Sequence, residues 1–549
     1  MATLSHWKKV RIPRFAPLRK SLKVDALVVG GGMTGITAAY LLKKAGRKVA
    51  LVERDRCAYG NTGNTTAHLT CVTDLRLHQL VKTFGRDHAQ AVWDAGLAAI
   101  DQIHDIIKTE NISCEFTRIP GYVHARLNSA KDETEDLKRD VKIADELGIQ
   151  AEYVPSVPVF ARPGICFANQ AKFHPFMYLA ELVTRIPGKG SHVFERTEAL
   201  EFDAEGDDGP VRVTANRHTI TCDAVVIATD VPLTGLSDAA SAASLQSKLT
   251  PYTSYVIGAT LPGKVAPEAS FWDTSEPYYY LRIDRRRRGQ YIVFGGLDHK
   301  TGQVEHTDGL FDELETTLHR FLPDAKIDRR WSGQVTESHD GLPLIGETAK
   351  RQYVATGFSG NGITFGTLSG MMICDAVKGR KNPWRELFDP QRTQVRGGMW
   401  NYITENLEYP YYMIKDRLLA SEGKSLKSLK RGQGKILKLD GDRVAAYRDA
   451  QGEVQRLSAV CTHLGCIVHW NEAETSWDCP CHGTRYAPTG EVISGLGWES
   501  MAYKNQIHDL RTKAATMVKQ HGQYANDQEK REIEKGYTCL LYTSDAADE

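Results

Sequence analysis

A glycine-rich turn between two apolar segments limits the fold of this chain more than any other feature. Residues 24–29 (VDALVV) are apolar and β-branched, residues 36–42 have helical apolar spacing, and residues 49–52 form a second apolar run. This order predicts a strand, a helix and a second strand, which is a βαβ unit with two parallel strands. The sequence therefore predicts an α/β, Rossmann-like domain at this point.

The turn carries Gly30, Gly32 and Gly35 in the spacing GxGxxG, and Glu53 closes the second strand. Such glycines allow a tight turn, close approach of the backbone to a pyrophosphate, and packing of helix on strand. The helix N-terminus supplies free amides and a positive dipole end, and a carboxylate like that of Glu53 accepts hydrogen bonds from ribose hydroxyls. The pattern predicts a dinucleotide site, with a glycine-rich turn of an unrelated α/β unit as the alternative.

Length and charge exclude several classes of protein. The 549 residues suffice for about three to five domains. Lys plus Arg (69) nearly balance Asp plus Glu (68), so no overall positive field favours nucleic acid. Since no run of about 18 apolar residues occurs, we expect a soluble, globular protein that neither spans a membrane nor binds nucleic acid.

The cysteines are unevenly distributed. Six of the eleven are scattered singly, as is usual for buried thiols in a reducing compartment, and this favours the cytoplasm. Four others lie close together between residues 461 and 481, where His463 follows Cys461 and His482 follows Cys479. Two thiolates and two imidazoles suit a Rieske-type [2Fe-2S] cluster, with two Cys on one iron and two His on the other. Zinc and an iron-free disulfide module remain alternatives.

The flanking segments give the remaining domain boundaries. Residues 1–22 are basic and free of acids, which predicts a solvated arm, with an organellar address signal as the alternative. Residues 396–430 are interpreted as a connector, and residues 431–510 contain short strands separated by Gly and Asp turns, typical of a small antiparallel β domain. Residues 511–549 form a polar tail, of which 538–549 resemble a non-native read-through.

Four segments together resemble the D-amino-acid-oxidase-like FAD-dependent oxidoreductases. They are GGGMTGITAAYLL, TGNTTAHLT (62–70), WSGQVTESHDGLPLIGE (331–347) and ATGFSGNGITFGT (355–367). The resemblance covers residues 23–395. It implies an FAD-binding domain built from about 23–84, 166–244 and 331–395, with an interleaved α+β substrate domain from about 85–165 and 245–330.

The same resemblance implies individual roles. The residues expected to bind FAD are Gly30, Gly32, Gly35, Glu53, Thr65, Thr66, Asp340, Gly360 and Gly362, with Pro343 and Gly346 near the flavin. His174 and Pro175 are expected to begin a helix that returns to the FAD domain. Tyr280 and Arg282 are candidate catalytic residues that hold a substrate carboxylate, with a solvated strand residue as the alternative interpretation of Arg282. His68, His299 and Lys300 lie in motifs that resemble flavin-proximal ones.

CTHLGC (461–466) and CPCHGTRY (479–486) resemble the Rieske family over residues 431–497. The resemblance implies that Cys461 and Cys479 bind one iron, that His463 and His482 bind the other, and that Cys466 and Cys481 form a disulfide. Thr484 and Tyr486 stand where side chains donate hydrogen bonds to cluster or ligand sulfur. The usual proline-containing turn is replaced by Gly495, Leu496 and Gly497.

These features lead to one functional hypothesis and one alternative. There is no second GxGxxG, so the sequence does not predict a nicotinamide domain. We expect an FAD-dependent dehydrogenase that takes a hydride from a small organic substrate, an amine or amino acid. The cluster would pass the electrons singly to an unknown external acceptor. The alternative is a non-enzymatic flavin and iron-sulfur electron-transfer or redox-sensing protein.

Overall fold

The computed structural model describes residues 3–129, 131–204, 209–232, 244–304, 306–392, 412, 415–416, 421–439, 441–463, 465–495, 497 and 500–501. The chain divides into two compact units, residues 1–407 and 408–549. The predicted polar tail, residues 511–549, and most of the predicted connector lie outside the described residues. Within the described ranges, no helix has the length and apolarity needed to cross a membrane.

The first unit contains both helices and strands. Its helices are α1 (Met33–Lys44), α2 (Leu77–Phe84), α3 (Arg86–Glu110), α4 (Thr134–Glu146), α5 (Pro175–Thr184), α6 (Leu310–Phe321), α7 (Gly362–Val377) and α8 (Arg385–Phe388). Its strands are β1 (Leu22–Lys23), β2 (Ala26–Val29), β3 (Val49–Val52), β4 (His68–Leu69), β5 (Thr117–His124), β6 (Ala151–Val154), β7 (Gly164–Lys172), β8 (His192–Phe194), β9 (Ala199–Ala204), β10 (Val211–Ala215), β11 (His218–Cys222), β12 (Ala224–Ile227), β13 (Leu249–Leu261), β14 (Ser270–Asp273), β15 (Tyr280–Arg285), β16 (Gln290–Lys300), β17 (Lys326–Ser338), β18 (Leu344–Ala349) and β19 (Gln352–Thr356).

A six-stranded sheet carries the dinucleotide-binding half of this unit. Its order is β18-β19-β12-β2-β3-β8, and every neighbouring pair is parallel except the edge pair β18 and β19. Strands β2, β3 and β12 are buried at every position, which explains their unbroken apolar runs. The predicted βαβ unit is confirmed as β2, α1 and β3. A four-stranded sheet, β1-β11-β10-β9, accompanies it.

A nine-stranded sheet forms the other half. Its order is β17-β13-β16-β15-β14-β5-β7-β4, and β6 also pairs with β7. This sheet extends beyond the expected substrate segments, because β7 pairs with β5 and β17 pairs with β13. Residues 166–172 and 331–338, assigned from the sequence to FAD-binding segments, are therefore strands of the substrate-side sheet.

The N-terminal arm is not solvated, contrary to expectation. Trp7 is completely buried, and Ile12 and Leu18 are nearly so. The Trp7 indole Nε1 donates a hydrogen bond of 2.5 Å to the Thr65 carbonyl, and the Lys8 ammonium donates one of 2.8 Å to Asn64. Burial of the Trp7 ring, whose N–H is hydrogen-bonded, stabilises the packed arm and offsets the preference of its basic residues for water.

The second unit is built from antiparallel strands, as predicted. One sheet has the order β20-β21-β22 and the other β23-β24-β25-β26. The strands are β20 (Gly434–Leu439), β21 (Asp442–Arg448), β22 (Val454–Ser458), β23 (His469–Asn471), β24 (Ser476–Asp478), β25 (Arg485–Tyr486) and β26 (Val492–Ser494).

Candidate functional site

The turn between β2 and α1 has room for glycine only. Gly30 adopts a φ of +106°, and a Cβ there would lie 2.3 Å from the Ala228 carbonyl oxygen. A Cβ on Gly35 would lie 1.8 Å from the Gly30 carbonyl oxygen. Gly32 caps α1 without a side chain that could bond the helix end. The N-terminus of α1 is thus available to an anionic pyrophosphate.

Glu53 lies directly beside this turn, at the end of β3. Its carboxylate accepts hydrogen bonds from the backbone N–H of Gly31 (2.7 Å) and of Asp55 (2.9 Å). Desolvation raises the pKa of Glu53, and these two bonds oppose that rise. A carboxylate held at the edge of a glycine turn fits the ribose of a dinucleotide, so these residues fit the adenosine end of FAD.

Helix α7 brings a second glycine turn to the same region. A Cβ on Gly366 would lie 2.8 Å from Thr34 Oγ1, so α7 packs closely on the first turn of α1. Gly362 is the first residue of α7, and the Gly360 N–H donates a hydrogen bond of 2.8 Å to Asp74 Oδ2. The predicted residues Gly360 and Gly362 therefore lie near the predicted glycine turn.

The loop before β4, residues 62–67, is fixed by hydrogen bonds within the loop and to other segments. The Thr65 hydroxyl accepts a hydrogen bond of 3.0 Å from the Ala67 N–H, and the Thr66 carbonyl accepts one of 3.5 Å from Arg282. Thr62 Oγ1 accepts a hydrogen bond of 3.0 Å from Met33 N, at the start of α1. Thr65 and Thr66 thus sit on a loop that contacts the N-terminus of α1.

Asp340, which stays a predicted FAD-binding residue, has an arginine partner that the sequence did not indicate. Both of its carboxylate oxygens accept hydrogen bonds of 2.7 Å from Arg392, and Oδ1 also accepts one from Leu342 N. The Arg392 guanidinium also bonds the carbonyls of Leu342 and Pro343. A bidentate pair of this kind fixes a loop and leaves little of the carboxylate for a cofactor. The nearby Gly346 packs against Pro390.

Arg282 is neither a substrate ligand nor a solvated strand residue. It is 1% exposed, and its Nε and Nη2 donate to the two carboxylate oxygens of Asp284 at 2.8 and 3.1 Å. Its remaining N–H groups bond the carbonyls of Ala67 (2.6 Å), Phe173 (2.9 Å) and Thr66 (3.5 Å). Because its five donors are satisfied, Arg282 has a structural role: it joins β15 to the segment before β4 and to the residue after β7, all within the nine-stranded sheet.

Tyr280 belongs to a group of polar residues that the sequence did not bring together. The Ser254 hydroxyl lies 2.7 Å from Tyr280 OH and donates a hydrogen bond of 2.5 Å to Asp298 Oδ1. Tyr278 OH donates a hydrogen bond of 3.1 Å to Asp74 Oδ1. We call Asp74, Ser254, Tyr278, Tyr280 and Asp298 the acidic–tyrosine cluster. The sequence does not indicate that β13, β15 and β16 lie in one sheet or that residue 74 lies beside them. Asp74, Ser254 and Asp298 were therefore not predicted as site residues.

The carboxyl groups of the acidic–tyrosine cluster are desolvated, although Asp74 is an exposed residue. Desolvation raises the pKa of Asp298 to about 7, the Ser254 bond opposes the rise, and the Asp74 charge adds to it. Desolvation also raises the pKa of Asp74, an exposed residue whose carboxylate accepts hydrogen bonds from Gly360 and Tyr278. Burial also raises the pKa of Tyr278 and Tyr280, so both phenols stay protonated at neutral pH.

The raised pKa of Asp298 leads to a test by pH. The folded protein holds this proton up to about pH 7, whereas an unfolded chain releases it near pH 4. The stability that Asp298 contributes is therefore complete below pH 4 and is lost as the pH rises through 7. We expect the Asp298→Asn variant to have a Tm at least about 2 °C above the wild type at pH 8 and nearly equal at pH 5.

Thermal unfolding of the FAD-loaded protein by circular dichroism measures this difference. Asp312→Asn is the matched control, because the Asp312 side chain is 71% exposed on α6. The control should show the same difference from wild type at both pH values. An Asp298→Asn difference that does not grow between pH 5 and 8 would contradict the assignment.

The other predicted residues near the flavin are placed as follows. His174 caps α5, its Nδ1 accepting a hydrogen bond of 3.3 Å from Met177 N, and Pro175 is the first residue of that helix. His299 Nε2 lies 3.1 Å from Tyr255 OH, and Lys300 ends β16. His68 Nδ1 lies 3.0 Å from Ser270 Oγ, and burial lowers the pKa of His68 to about 3.

In the second unit, two loops bring together the predicted cluster ligands. The first loop turns back through a hydrogen bond of 2.8 Å from Cys461 N to the Cys466 carbonyl, and the second through one of 2.8 Å from Cys479 N to the Thr484 carbonyl. The disulfide expected between Cys466 and Cys481 is present and joins the two loops. The Cys479 sulfur lies within 4.8 Å of both disulfide sulfurs.

The four ligand side chains meet between these loops. The imidazole rings of His463 and His482 have centroids 4.7 Å apart at 84°. Burial lowers the pKa of His463 to about 4 and that of His482 to about 3, so both are neutral at pH 7. A hydrogen bond between the two buried sulfur atoms lowers the pKa of Cys461 and raises that of Cys479. A [2Fe-2S] cluster with two His ligands needs neutral imidazoles and deprotonated Cys thiolates, and both imidazoles already have the required form.

Tyr486 and Thr484 lie where the resemblance implies. Tyr486 OH lies 3.2 Å from Cys461 Sγ and also bonds Thr462. A Cβ on Gly497 would lie 2.7 Å from Tyr486 OH, and one on Gly495 would lie 2.7 Å from Thr484 Cα. The two glycines that replace the usual proline turn therefore let this segment lie directly on the second ligand loop.

The hydroxyl of Tyr486 gives a second test. Hydrogen bonds to a ligand sulfur stabilise the reduced, more negative cluster, so Tyr486→Phe should lower its reduction potential by about 50 mV. An EPR-monitored redox titration measures the shift. Tyr447→Phe is the control, because the Tyr447 ring packs on Trp470 at 5.0 Å and should leave the potential unchanged. Equal potentials in wild type and Tyr486→Phe would contradict the role of the hydroxyl.

Comparison with known proteins identifies both halves of the chain. The family model "FAD dependent oxidoreductase" matches residues 25–376, and the model "Rieske [2Fe-2S] domain" matches residues 423–499. The protein YhfW of Bacillus subtilis (strain 168), named as a Rieske 2Fe-2S iron-sulfur protein, is 30% identical over 497 residues, which is 89% of this chain and 95% of YhfW.

Two further similarities fall on the first half. Gamma-glutamylputrescine oxidoreductase of Escherichia coli (strain K12) is 23% identical over 419 residues, 74% of this chain and 95% of that protein. The crystal structure of glycine oxidase from Geobacillus kaustophilus superposes with a TM-score of 0.56 at 17% identity, covering 68% of this chain and 99% of that one. The chain therefore belongs to the FAD-dependent oxidoreductase family, carries a Rieske [2Fe-2S] domain after the FAD domain, and has FAD and a [2Fe-2S] cluster as its cofactors.

Proposed function

We propose that this oxidoreductase is a dehydrogenase that oxidises a small amine or amino acid and passes the electrons singly through the Rieske cluster to an external acceptor. The observation that carries the proposal is the pairing, in one chain, of an FAD domain with assembled ligand loops for a one-electron carrier. An oxidase that hands both electrons to oxygen has no need of the second cofactor.

Bound FAD would supply a two-electron oxidation of a substrate C–H bond, which is the chemistry that this cofactor brings to an amine or amino acid. The chain supplies binding and orientation. Gly30, Gly32, Gly35 and Glu53 hold the adenosine and pyrophosphate end of FAD. The nine-stranded sheet presents the acidic–tyrosine cluster to the substrate.

The substrate class is supported by two of the similar proteins. The Escherichia coli relative is named for gamma-glutamylputrescine and the Geobacillus structure for glycine, and both compounds carry an amino group. The acidic–tyrosine cluster on the nine-stranded sheet also argues against a pure electron relay, because a relay needs no substrate-binding half.

Steady-state turnover with alternative acceptors tests the proposal. The FAD- and iron-loaded protein is assayed with a library of amines and amino acids in the presence of either oxygen or a one-electron acceptor such as ferricyanide. We expect turnover to be faster with the one-electron acceptor and hydrogen peroxide to be a minor product. Stoichiometric peroxide with every active substrate would identify an oxidase. No oxidation of any amine or amino acid would favour the electron-transfer or sensor alternative.

A further inference from the structure

We propose that the substrate site of this enzyme takes a cationic amine without a carboxylate on the reacting carbon, and that Asp74 and Asp298 with the neighbouring tyrosines recognise its positive charge. The inference rests on the proposed function and narrows its substrate class. It follows from the position, charge and ring packing of the acidic–tyrosine cluster.

The acidic–tyrosine cluster lies where the nine-stranded sheet meets the N-terminus of α7. A Cβ on Gly360, just before α7, would lie 2.4 Å from Tyr278 OH and 2.9 Å from Asp74 Oδ1. Segment 70–74 is held on α7 by hydrogen bonds from Thr364 to the Thr70 carbonyl (2.8 Å) and from Asn361 to the Val72 carbonyl (3.0 Å). Since α7 packs on α1, the cluster lies at the junction of the FAD-binding and substrate halves.

A glycine on β16, Gly295, gives the Tyr280 ring the space that it occupies in the cluster. Tyr280 of β15 pairs with Gly295 of β16, and a Cβ on Gly295 would lie 2.3 Å from the Tyr280 hydroxyl. The Tyr280 ring therefore crosses over β16 and reaches Ser254 on β13, beside Asp298. Gly295 thus permits the contact that links Tyr280 to the carboxylate.

The charge of this site is negative. Among the described residues, no lysine or arginine forms an ion pair with Asp74 or Asp298. The nearest strand cation, Arg282, is saturated by Asp284 and backbone carbonyls. The pKa of both carboxylates is raised by desolvation, and that of Asp298 also by Asp74. Two neighbouring carboxyl groups without a basic partner attract an ammonium group, which favours their ionised forms, and they repel a substrate carboxylate.

The walls of the site are aromatic, which also suits a cation. The Tyr278 and Tyr280 rings meet edge to face with centroids 5.9 Å apart. The His68 ring stands edge-on to Tyr280 at 5.9 Å and lies 5.2 Å from Trp272. Aromatic rings beside carboxylates recur wherever proteins bind ammonium groups.

His68 provides the second, independent indication of a ligand. The residue is only 7% exposed, and its Nδ1 is used by Ser270. Its Nε2 is buried and has no hydrogen-bond partner in the described part of the chain. A buried polar nitrogen without a partner is costly, and here it belongs to the ring that packs on Tyr280. A bound amine or its hydration water would satisfy it.

The first experiment uses inert ions on the FAD-loaded protein. Tetramethylammonium and acetate are titrated separately, and the change in flavin absorbance gives each Kd. We expect the tetramethylammonium Kd to be at least about tenfold below that of acetate. Asp74→Asn and Asp298→Asn should each weaken tetramethylammonium binding about tenfold, and the surface control Asp312→Asn should not. Tighter binding of acetate, or equal binding by all variants, would overturn the inference.

The second experiment compares substrates that differ only in a carboxylate. Anaerobic flavin bleaching is followed with butylamine and 2-aminopentanoic acid, and with further monoamines and their α-carboxylated counterparts. We expect each active amine to bleach the flavin at least about 100-fold faster than its counterpart. Equal or faster bleaching by the amino acids would overturn the inference while the proposed function stands. Bleaching by non-amine substrates alone would overturn both.

Discussion

Replacing Cys479 with serine is expected to abolish turnover with one-electron acceptors while single-turnover flavin reduction stays nearly unchanged. Cys479 is completely enclosed between the ligand loops, next to Cys461, and its loss removes one of the two thiolates on one iron. The organic substrate is expected to react only at the flavin, so its first step does not need the cluster. Iron and acid-labile sulfide should fall from about two per chain to nearly none.

Three measurements on the same preparation check this expectation: iron and sulfide content, EPR of the reduced protein, and stopped-flow absorbance of the flavin. Cys166→Ser is the matched control, because Cys166 is a free, half-buried cysteine of β7. It should keep the cluster and full turnover. A Cys479→Ser protein that retains wild-type turnover with a one-electron acceptor would show that electrons do not leave through the cluster.

Replacing Gly35 with alanine is expected to remove FAD from the protein. A Cβ at this position would lie 1.8 Å from the Gly30 carbonyl oxygen, so the turn and α1 must separate. We expect FAD affinity to fall by at least about 100-fold and Tm to fall with the loss of the bound cofactor. Acid precipitation measures occupancy, because FAD bound without a covalent link is released into the supernatant.

Two companion variants keep this test informative if Gly35→Ala fails to fold. Gly32→Ala places its Cβ 3.1 Å from Thr62 Oγ1, which is tight but close to an ordinary contact, and should lower FAD occupancy in a folded protein. Gly309→Ala is the control, since a Cβ there meets nothing within 4 Å. Full FAD occupancy in Gly35→Ala would contradict the placement of the pyrophosphate, and a yellow pellet would contradict non-covalent binding.

The parts of this protein that the sequence predicted are those whose chemistry is local. The glycine turn before α1 and the two ligand loops each lie within a short stretch, so spacing alone indicated them. The disulfide joins residues separated by 15 positions and followed from family resemblance. The two family matches confirm the fold class and both cofactors that these local patterns predicted.

The contacts that the sequence did not indicate are made with partners far away in the chain. Asp340 is held by Arg392, which is 52 residues distant, and Arg282 bonds the Phe173 carbonyl at a separation of 109. The docking of the N-terminal arm depends on Trp7 reaching Thr65, 58 residues away. Residue type alone does not reveal which carboxylate or carbonyl the tertiary structure places beside a guanidinium.

The acidic–tyrosine cluster was missed for a related reason. Asp74 and Asp298 come from separate segments, and only the ordering of β13, β16 and β15 in one sheet brings Ser254, Tyr280 and Asp298 together. Tyr280 was singled out because it lies on a strand that resembles the flavin-facing one. Its partners need the sheet order, which no local pattern indicates.

Anaerobic stopped-flow reduction of the wild-type protein by an active amine tests the relay most directly. Flavin absorbance is followed at its long-wavelength band, and samples frozen at intervals are examined by EPR for the reduced cluster. We predict that the flavin bleaches first and that the reduced-cluster signal then grows as the flavin is partly reoxidised. A flavin that stays fully reduced beside a cluster that remains oxidised would contradict electron transfer from flavin to cluster.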